Sequence, residues 1–416
     1  MVDTSSIFTF VAAIIVVGFL GELFFKKTGV PMFIFLILMG IIIGPVLDFF
    51  PRTSLLPSLG VFAVLTLLMV LFYGGFDTSL DSVRKGGGRA FLQVLVYVLG
   101  STAAIALIIN ALLDWGLVSS FIFASMVGGE TTAAIVIPLS RSLKLPEATV
   151  DFLTLESAMN SILLIVLFFA FVGIYQTGIA NPVATLTKVS GNFSVGIVLG
   201  GILSTVWVFV LNRVQQRKYT YVLTLGLVFI TYVISDSLGG SGELSVLIFG
   251  IVLGNYAFIG RLTNWHFSMD VLQQRLGIFQ EEISFLMETL FFVFLGLTFE
   301  INSSSVIDFL AVSAVIVGVL MLFRVLATVA STVGSDLARN RRDIITMCAQ
   351  GLVPATLAII AVDDGLPHAN SFLNVVTYVI ILTNIIAAAG AVWRIRSQRS
   401  SFKEFMEGLD VAYRSK

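Results

Sequence analysis

Apolar runs of about twenty residues, recurring almost without pause from Ile7 to Arg396, constrain this chain more than any other feature. That length is what an α-helix needs to cross the hydrocarbon layer of a bilayer, where every backbone N–H and C=O must be satisfied within its own segment. Cutting the chain wherever charges or Pro/Gly/Asn clusters interrupt the runs leaves thirteen pieces. They cover roughly 7–25, 31–50, 59–77, 89–113, 118–141, 148–174, 192–214, 219–237, 242–259, 270–299, 304–331, 342–362 and 371–396. Composition agrees, with 57% hydrophobic and 12% charged residues, against about 25% charged in a soluble domain. The expected fold class is an all-α membrane protein with about thirteen transmembrane helices. The first run lacks a basic lead-in and a small-residue cleavage site, so it reads as a retained helix.

Basic residues in short loops stay on the cytoplasmic side. The odd connections carry Lys26 and Lys27; Arg84, Lys85 and Arg89; Arg141 and Lys144; Arg213, Arg217 and Lys218; Arg261; and Arg339, Arg341 and Arg342. Even connections hold only Arg52 and Lys188, beside Asp114, Asp236, Glu300, Asp363 and Asp364. This alternation predicts a multi-pass cell-membrane protein with its N-terminus outside and its C-terminus cytoplasmic. After Arg394 the expectation is a short cytoplasmic tail, 397–416, forming a surface helix with Phe402, Phe405 and Met406 on one side, and no fused regulatory domain.

Several chemistries are disfavoured. A net charge of −1 argues against nucleic-acid binding. The single cysteine, Cys348, precludes a disulfide within the chain or a cysteine metal cluster. His266 and His368 fall at or beyond helix ends, and no Ser–His pair, Asp pair or zinc motif occurs at depth, so neither an intramembrane enzyme nor a cofactor is expected.

Two spans look interrupted. The fifth contains Gly128-Gly129-Glu130-Thr131-Thr132, with Pro138 beyond; the twelfth contains Gln350-Gly351, with Pro354 beyond. Broken backbone at membrane depth is tolerated only where protein buries it or where it lines a wet cavity, and half-helix ends supply partial charges that hold ions. The two lie seven spans apart in order, the spacing of a six-helix repeat, one linker helix and an inverted copy.

Ionisable groups at depth are functional candidates because burying them costs several kcal/mol unless they are paired or hydrated. Four stand out: Glu130 at the first break, Glu156 in span six, Arg324 in span eleven and Glu288 in span ten. Asp48, Asp77 and Glu243 fall near predicted span ends, within reach of water. Glu156 and Arg324 can neutralise one another, which leaves Glu130 without an obvious mate and able to trade a proton for a metal cation. Thr131, Thr132, Ser157, Asn160 and Ser161 offer neutral oxygens to a dehydrated cation, with Glu130, Asn160 and Ser161 the candidate Na+ ligands. For Glu288 the alternative of a group near an interface or cavity mouth is stronger, which makes it an accessory candidate.

At these residues the chain resembles the monovalent cation/proton antiporter family, in its thirteen-helix sodium/proton branch. Carrying the resemblance are Met39-Gly40 to Gly44-Pro45, Phe72-Tyr73-Gly74-Gly75-Phe76-Asp77, the Glu156-to-Asn160 face, Phe291 to Gly296, Arg324 and the Gln350-Gly351 break, spread over almost the whole length. The resemblance implies a homodimer, with a fixed dimerisation bundle (about 7–77 and 219–299), a mobile ion-carrying bundle (about 89–174 and 304–396) and a linker helix (about 192–214) in one transporter domain, 1–396. It implies elevator-type exchange of Na+, or Li+ or K+, for protons, serving pH and sodium homeostasis. The chain departs from the family pattern in three places. Glu130-Thr131 stands where Thr-Asp is usual, Ser161 where an ion-binding Asp follows the span-six Asn, and Gln350 where an Arg is common. Glu130, Glu156 and Arg324 still sum to −1, the same net charge as the family's fuller set, which points to Glu130 as the carrier. Two alternatives remain open: a divalent cation (Ca2+ or Mg2+) transporter of the same fold, and a transport-inactive sensor or scaffold.

Overall fold

The structure, a computed structural model, describes residues 32–47, 52–78, 80–177, 182–214, 219–257, 270–297 and 306–414, with Gly260, Phe299 and nine positions between 12 and 23. Most of the first predicted span lies outside the described residues, as do Lys26, Lys27, Asp48, Arg217, Lys218, Arg261, His266 and Glu300. So do the side chains of Arg52, Arg84, Lys85, Lys188, Arg399, Phe402, Lys403, Phe405 and Met406.

The described residues form an all-helical membrane fold. In chain order come α1 (Met32–Ile41, extended by a π turn over Ile42–Val46), α2 (Arg52–Asp77), α3 (Leu80–Val94) and α4 (Gly100–Leu113), the last two joined by a π turn at Leu95–Leu99. Then follow α5 (Leu117–Val127), α6 (Ala133–Ser142), α7 (Glu147–Thr177), α8 (Pro182–Val214), α9 (Thr220–Ser237) and α10 (Gly242–Gly254). Last are α11 (Asp270–Leu297), α12 (Val306–Thr332), α13 (Arg341–Thr346), α14 (Leu352–Asp363) and α15 (Ala369–Arg414). Six of these stretches are long and apolar enough to cross a membrane, and five shorter apolar helices accompany them.

Burial is inverted relative to a water-soluble protein. Leu107, Ile202, Val222 and Leu322 are exposed, while Glu130, Glu156, Asn160, Arg324, Gln350 and Asn384 are sealed inside. Each of these sealed residues makes at least one hydrogen bond or ion pair, which offsets part of its desolvation cost.

Contacts between connections test the segmentation. Arg89 donates to the Ser331 and Val333 carbonyls, Asn340 to Thr149 Oγ1, and Asn255 to the Thr78 carbonyl, while Arg394 pairs with Asp343. Odd-numbered connections thus gather at one end. At the other, Trp115 stacks on His368, and the Ser241 N–H donates to the Asn192 carbonyl. Had one span been miscounted, residues from connections of unlike parity would be neighbours.

Two packing sets emerge. Helices α1, α2, α10 and α11 approach so closely that a Cβ at Gly40 would strike the Val293 carbonyl, and one at Gly250 the Phe72 carbonyl. Glycine removes the side chain that would hold these backbones apart. Helices α3 to α7 and α12 to α15 form the second set, and α14 lies against α2 where the sets meet.

Some boundaries differ from expectation. Helix α8 starts at Pro182, ahead of the predicted 192, because proline is favourable in a first turn and the following Thr, Lys and Ser do not stop a helix. Arg84 and Lys85 fall inside α3, where a loop was expected, since charge alone does not break a helix. The tail is no separate surface helix: α15 runs unbroken to Arg414, with no proline along it. Pro354 lies in the first turn of α14, outside the gap, where its missing N–H leaves no bond unmade.

Candidate functional site

Both interrupted helices open over five residues, 128–132 between α5 and α6 and 347–351 between α13 and α14. Each gap begins the same way. Gly128 (φ −70°, ψ 74°) and Met347 (φ −77°, ψ 63°) form inverse γ-turns, closed by Gly129 N–H to the Val127 carbonyl (2.8 Å) and Cys348 N–H to the Thr346 carbonyl (2.9 Å). Gly129 then takes φ +91°, a conformation that a β-carbon disfavours, with Val98 Cα close beside it. The π turn at Leu95–Leu99 carries Tyr97 and Val98 to that spot.

The gaps bond to one another. Thr132 N–H donates to the Ala349 carbonyl (2.8 Å), and Gln350 Nε2 donates to the Val127 carbonyl (2.6 Å) at the negative end of α5. Gly351 N–H donates to Glu130 Oε2 (2.9 Å), which sets the carboxylate at the positive end of α14. Glu130 is 1% exposed, away from lipid, and no ion pair neutralises it among the described residues.

Span six holds the first gap from the side. Ser157 Oγ donates to the Thr131 carbonyl (2.5 Å) and Asn160 Nδ2 to Thr131 Oγ1 (2.6 Å), while Ser161 Oγ bonds back to the Ser157 carbonyl (3.0 Å). Thr132, at the start of α6, stands against Gly351. One turn down α7, Glu156 pairs with Arg324, both fully buried. The rest of the Arg324 guanidinium donates to the Ile344 and Met347 carbonyls (2.8 Å each) and lies 5.0 Å over the Tyr97 ring. So Arg324 also caps the carbonyl end of α13 as it enters the second gap.

The structure therefore brings together Gly128, Gly129, Glu130, Thr131, Thr132, Glu156, Ser157, Asn160, Ser161, Arg324, Gln350 and Gly351. Glu288 stands apart on α11, 9% exposed, with neither ion pair nor hydrogen bond within the described residues. Sequence reasoning missed Thr383 and Asn384 of α15. Thr383 Oγ1 accepts the Gln350 N–H (3.2 Å), and Asn384 Nδ2 donates to the Gln350 carbonyl (2.7 Å). It also missed Gln93, which links α3 to Ser331 and Thr328 of α12. The usable signal was an asparagine at depth one span after each break: Asn160 after the first and Asn384 after the second.

The profile of the family described as "Sodium/hydrogen exchanger, transmembrane" matches residues 11–393. The chain belongs to this family. Similar proteins include the K(+)/H(+) antiporter NhaP2 of Shewanella sp. (strain MR-4), 26% identical over 378 residues, covering 88% of this chain. The chain spans 62% of the length of that relative. The Na(+)/H(+) antiporter 1 of Methanocaldococcus jannaschii is 25% identical over 382 residues, covering 89% of this chain and 87% of the relative. Among solved structures, the sodium proton antiporter MjNhaP1 from the same organism superposes with a TM-score of 0.80 at 21% identity, covering 93% of this chain and 97% of that one. At that identity the likeness is one of fold.

Proposed function

We propose that this protein exchanges a monovalent cation, Na+ or K+, with Li+ a further candidate, for protons across a membrane, and that Glu130 carries both in turn. One observation bears most of the weight: a sealed carboxylate without an ionic partner bridges the two broken helices, through the Gly351 N–H. Such a group has two ways to lose its uncompensated charge, a proton or a metal cation, and exchange follows if the site opens to one side at a time. Family membership and the antiport activities for which the NhaP2 and M. jannaschii relatives are named support the same reading.

Charge counting favours a monovalent ion. Arg324 neutralises Glu156, so a net −1 remains at the crossing, which one Na+ or K+ cancels and a divalent ion would overshoot. We further propose that the set built from spans four to six and eleven to thirteen moves against a fixed bundle of spans one to three and eight to ten, in a homodimer with a cytoplasmic C-terminus. The α8 helix links the repeats in this scheme.

The test is purified protein in liposomes with an internal pH dye. An imposed Na+ or K+ gradient moves protons in the wild type, and Glu130→Gln abolishes that movement while still eluting as a folded species. Full activity of Glu130→Gln removes Glu130 from the mechanism. Competition by Ca2+ or Mg2+ but not by Na+ or K+ would favour divalent transport, and a wild type that moves no protons would favour a sensor or scaffold.

A further inference from the structure

The two gaps are held alike, and the likeness has a consequence for ion binding. In the first half, the fourth residue of the gap, Thr131, is gripped by Asn160 Nδ2 and by Ser157 of the next span. In the second, the fourth residue is Gln350, gripped by Asn384 Nδ2 and Thr383 of the next span. Asn384 is therefore the repeat-related counterpart of Asn160, on the opposite side of the crossing. Residues of the first half supply every neutral ligand expected from the sequence, and the second half has an equivalent set.

That second set is fixed in orientation. Both N–H groups of Asn384 are used, one by the Gln350 carbonyl (2.7 Å) and one by the Ile380 carbonyl (2.8 Å). Exchanging N and O would face the amide oxygen with two carbonyls, so Oδ1 points away from them. The Gln350 amide is oriented likewise by the Val127 carbonyl (2.6 Å). Both side chains are 0% exposed, and neither Gln350 Oε1 nor Asn384 Oδ1 has a hydrogen-bond partner among the described residues. Two buried acceptors without donors, tied through residues 350 and 351 to an unpaired carboxylate, form a set that lacks positive charge.

We propose that Gln350 Oε1 and Asn384 Oδ1 are cation ligands that, with the Glu130 carboxylate, complete a site on the second-repeat side of the crossing. One carboxylate and two amide oxygens make a hard, singly negative set, suited to a dehydrated monovalent metal cation. The site compensates for the carboxylate absent at Ser161 by using the other half of the pseudo-symmetric fold. This assignment rests on the exchange function proposed above.

Steady-state exchange in liposomes tests it, with KM for Na+ and K+ read separately from kcat. Asn384→Leu keeps the branched shape and removes the oxygen together with the two N–H donors; it should raise the cation KM by about tenfold or more with kcat changed far less, the signature of lost uniform binding. Thr383→Val is the comparison, since it loosens the same Gln350 backbone yet leaves both amide oxygens, and its KM should rise far less than that of Asn384→Leu. A second readout is the melting shift on replacing choline by Na+ or K+ in detergent, which Asn384→Leu should lose and Thr383→Val retain. If Asn384→Leu does not fold, Gln350→Met carries the same expectation. An exchanging wild type, with Asn384→Leu unchanged in KM and melting shift, overturns this site and leaves exchange through Glu130 standing; a buried water bridging the two oxygens would give that result. Equal KM increases in Asn384→Leu and Thr383→Val also overturn it, because they would mark a purely structural role. A wild type that exchanges nothing overturns the function itself, and this site with it.

Discussion

Arg324 is the largest side chain sealed completely inside among the described residues, and its guanidinium serves three partners at once: the Glu156 carboxylate, the carbonyls closing α13 and the Tyr97 ring. A buried ion pair contributes little net stability, because desolvation offsets attraction, whereas removing one member leaves a charge with nothing to cancel it. Arg324→Met should therefore cost about 3–5 kcal/mol, seen as a lowered melting temperature in detergent. Adding Glu156→Gln should recover part of that loss. If the double variant melts no higher than the single one, Arg324 acts through the α13 carbonyls and not through charge. The sequence made Glu130, Glu156, Glu288 and Arg324 visible, since a charge inside an apolar run stands out, but passed over the buried Asp343, which lies by sequence at a span end. It also offered the pairing of Glu156 with Arg324, 168 residues apart, as the way to neutralise two deep charges, and the structure forms it. It did not single out Asn384, whose neutral amide resembles any small polar residue within a packed helix.

Broken helices are the elements on which the site is built, and their glycines are not equivalent. Gly129 sits at φ +91°, and its added Cβ would lie 3.0 Å from Val98 Cα; Gly201 lies within α8 with nothing near a new Cβ. Gly129→Ala should destabilise by about 1–3 kcal/mol through backbone strain and stop exchange by displacing Glu130. Gly201→Ala should be neutral or stabilise by about 0.5–1 kcal/mol, as for alanine in any open helix interior. Melting curves of the two variants beside wild type check both, and equal effects would mean that the left-handed turn is not required. Break positions were legible because paired glycines, or a glycine followed by proline, have few other uses at membrane depth. Helix ends were less so. Polar residues such as those preceding Asn192 interrupt a hydropathy pattern without interrupting a helix, which is why α8 and α15 run longer than their apolar cores. The equivalence of the two spans was legible in their spacing, but the register of the gaps came from the backbone, where Gly128 and Met347 share one turn despite unlike side chains.

At the scale of the whole molecule, the proposed exchange requires one helix set to slide past the other, and sliding needs a boundary that is not locked. Gly40 and Gly250 show the opposite character within one set, where backbones touch and no slip is possible without repulsion. Between the sets, an open groove of about 460 Å³ runs between α1 and α15, mostly apolar, with Ile34 on one side and Ile385, Ala389, Trp393 and Arg396 on the other. Apolar walls that do not interdigitate resist relative motion far less than packed ones do. A cross-link across this gap is therefore a direct test. Ile34→Cys with Ala389→Cys, bridged by a short bifunctional thiol reagent that a reductant can cleave, should reduce exchange at least about tenfold, as expected when a conformational step becomes limiting. Reduction should restore it. Cys348 is fully buried, so the single-cysteine variants treated identically serve as controls. Undiminished exchange in fully cross-linked protein would mean that α1 and α15 move together, and the moving unit would then have to be smaller than the set built around the crossing, down to the broken helices themselves.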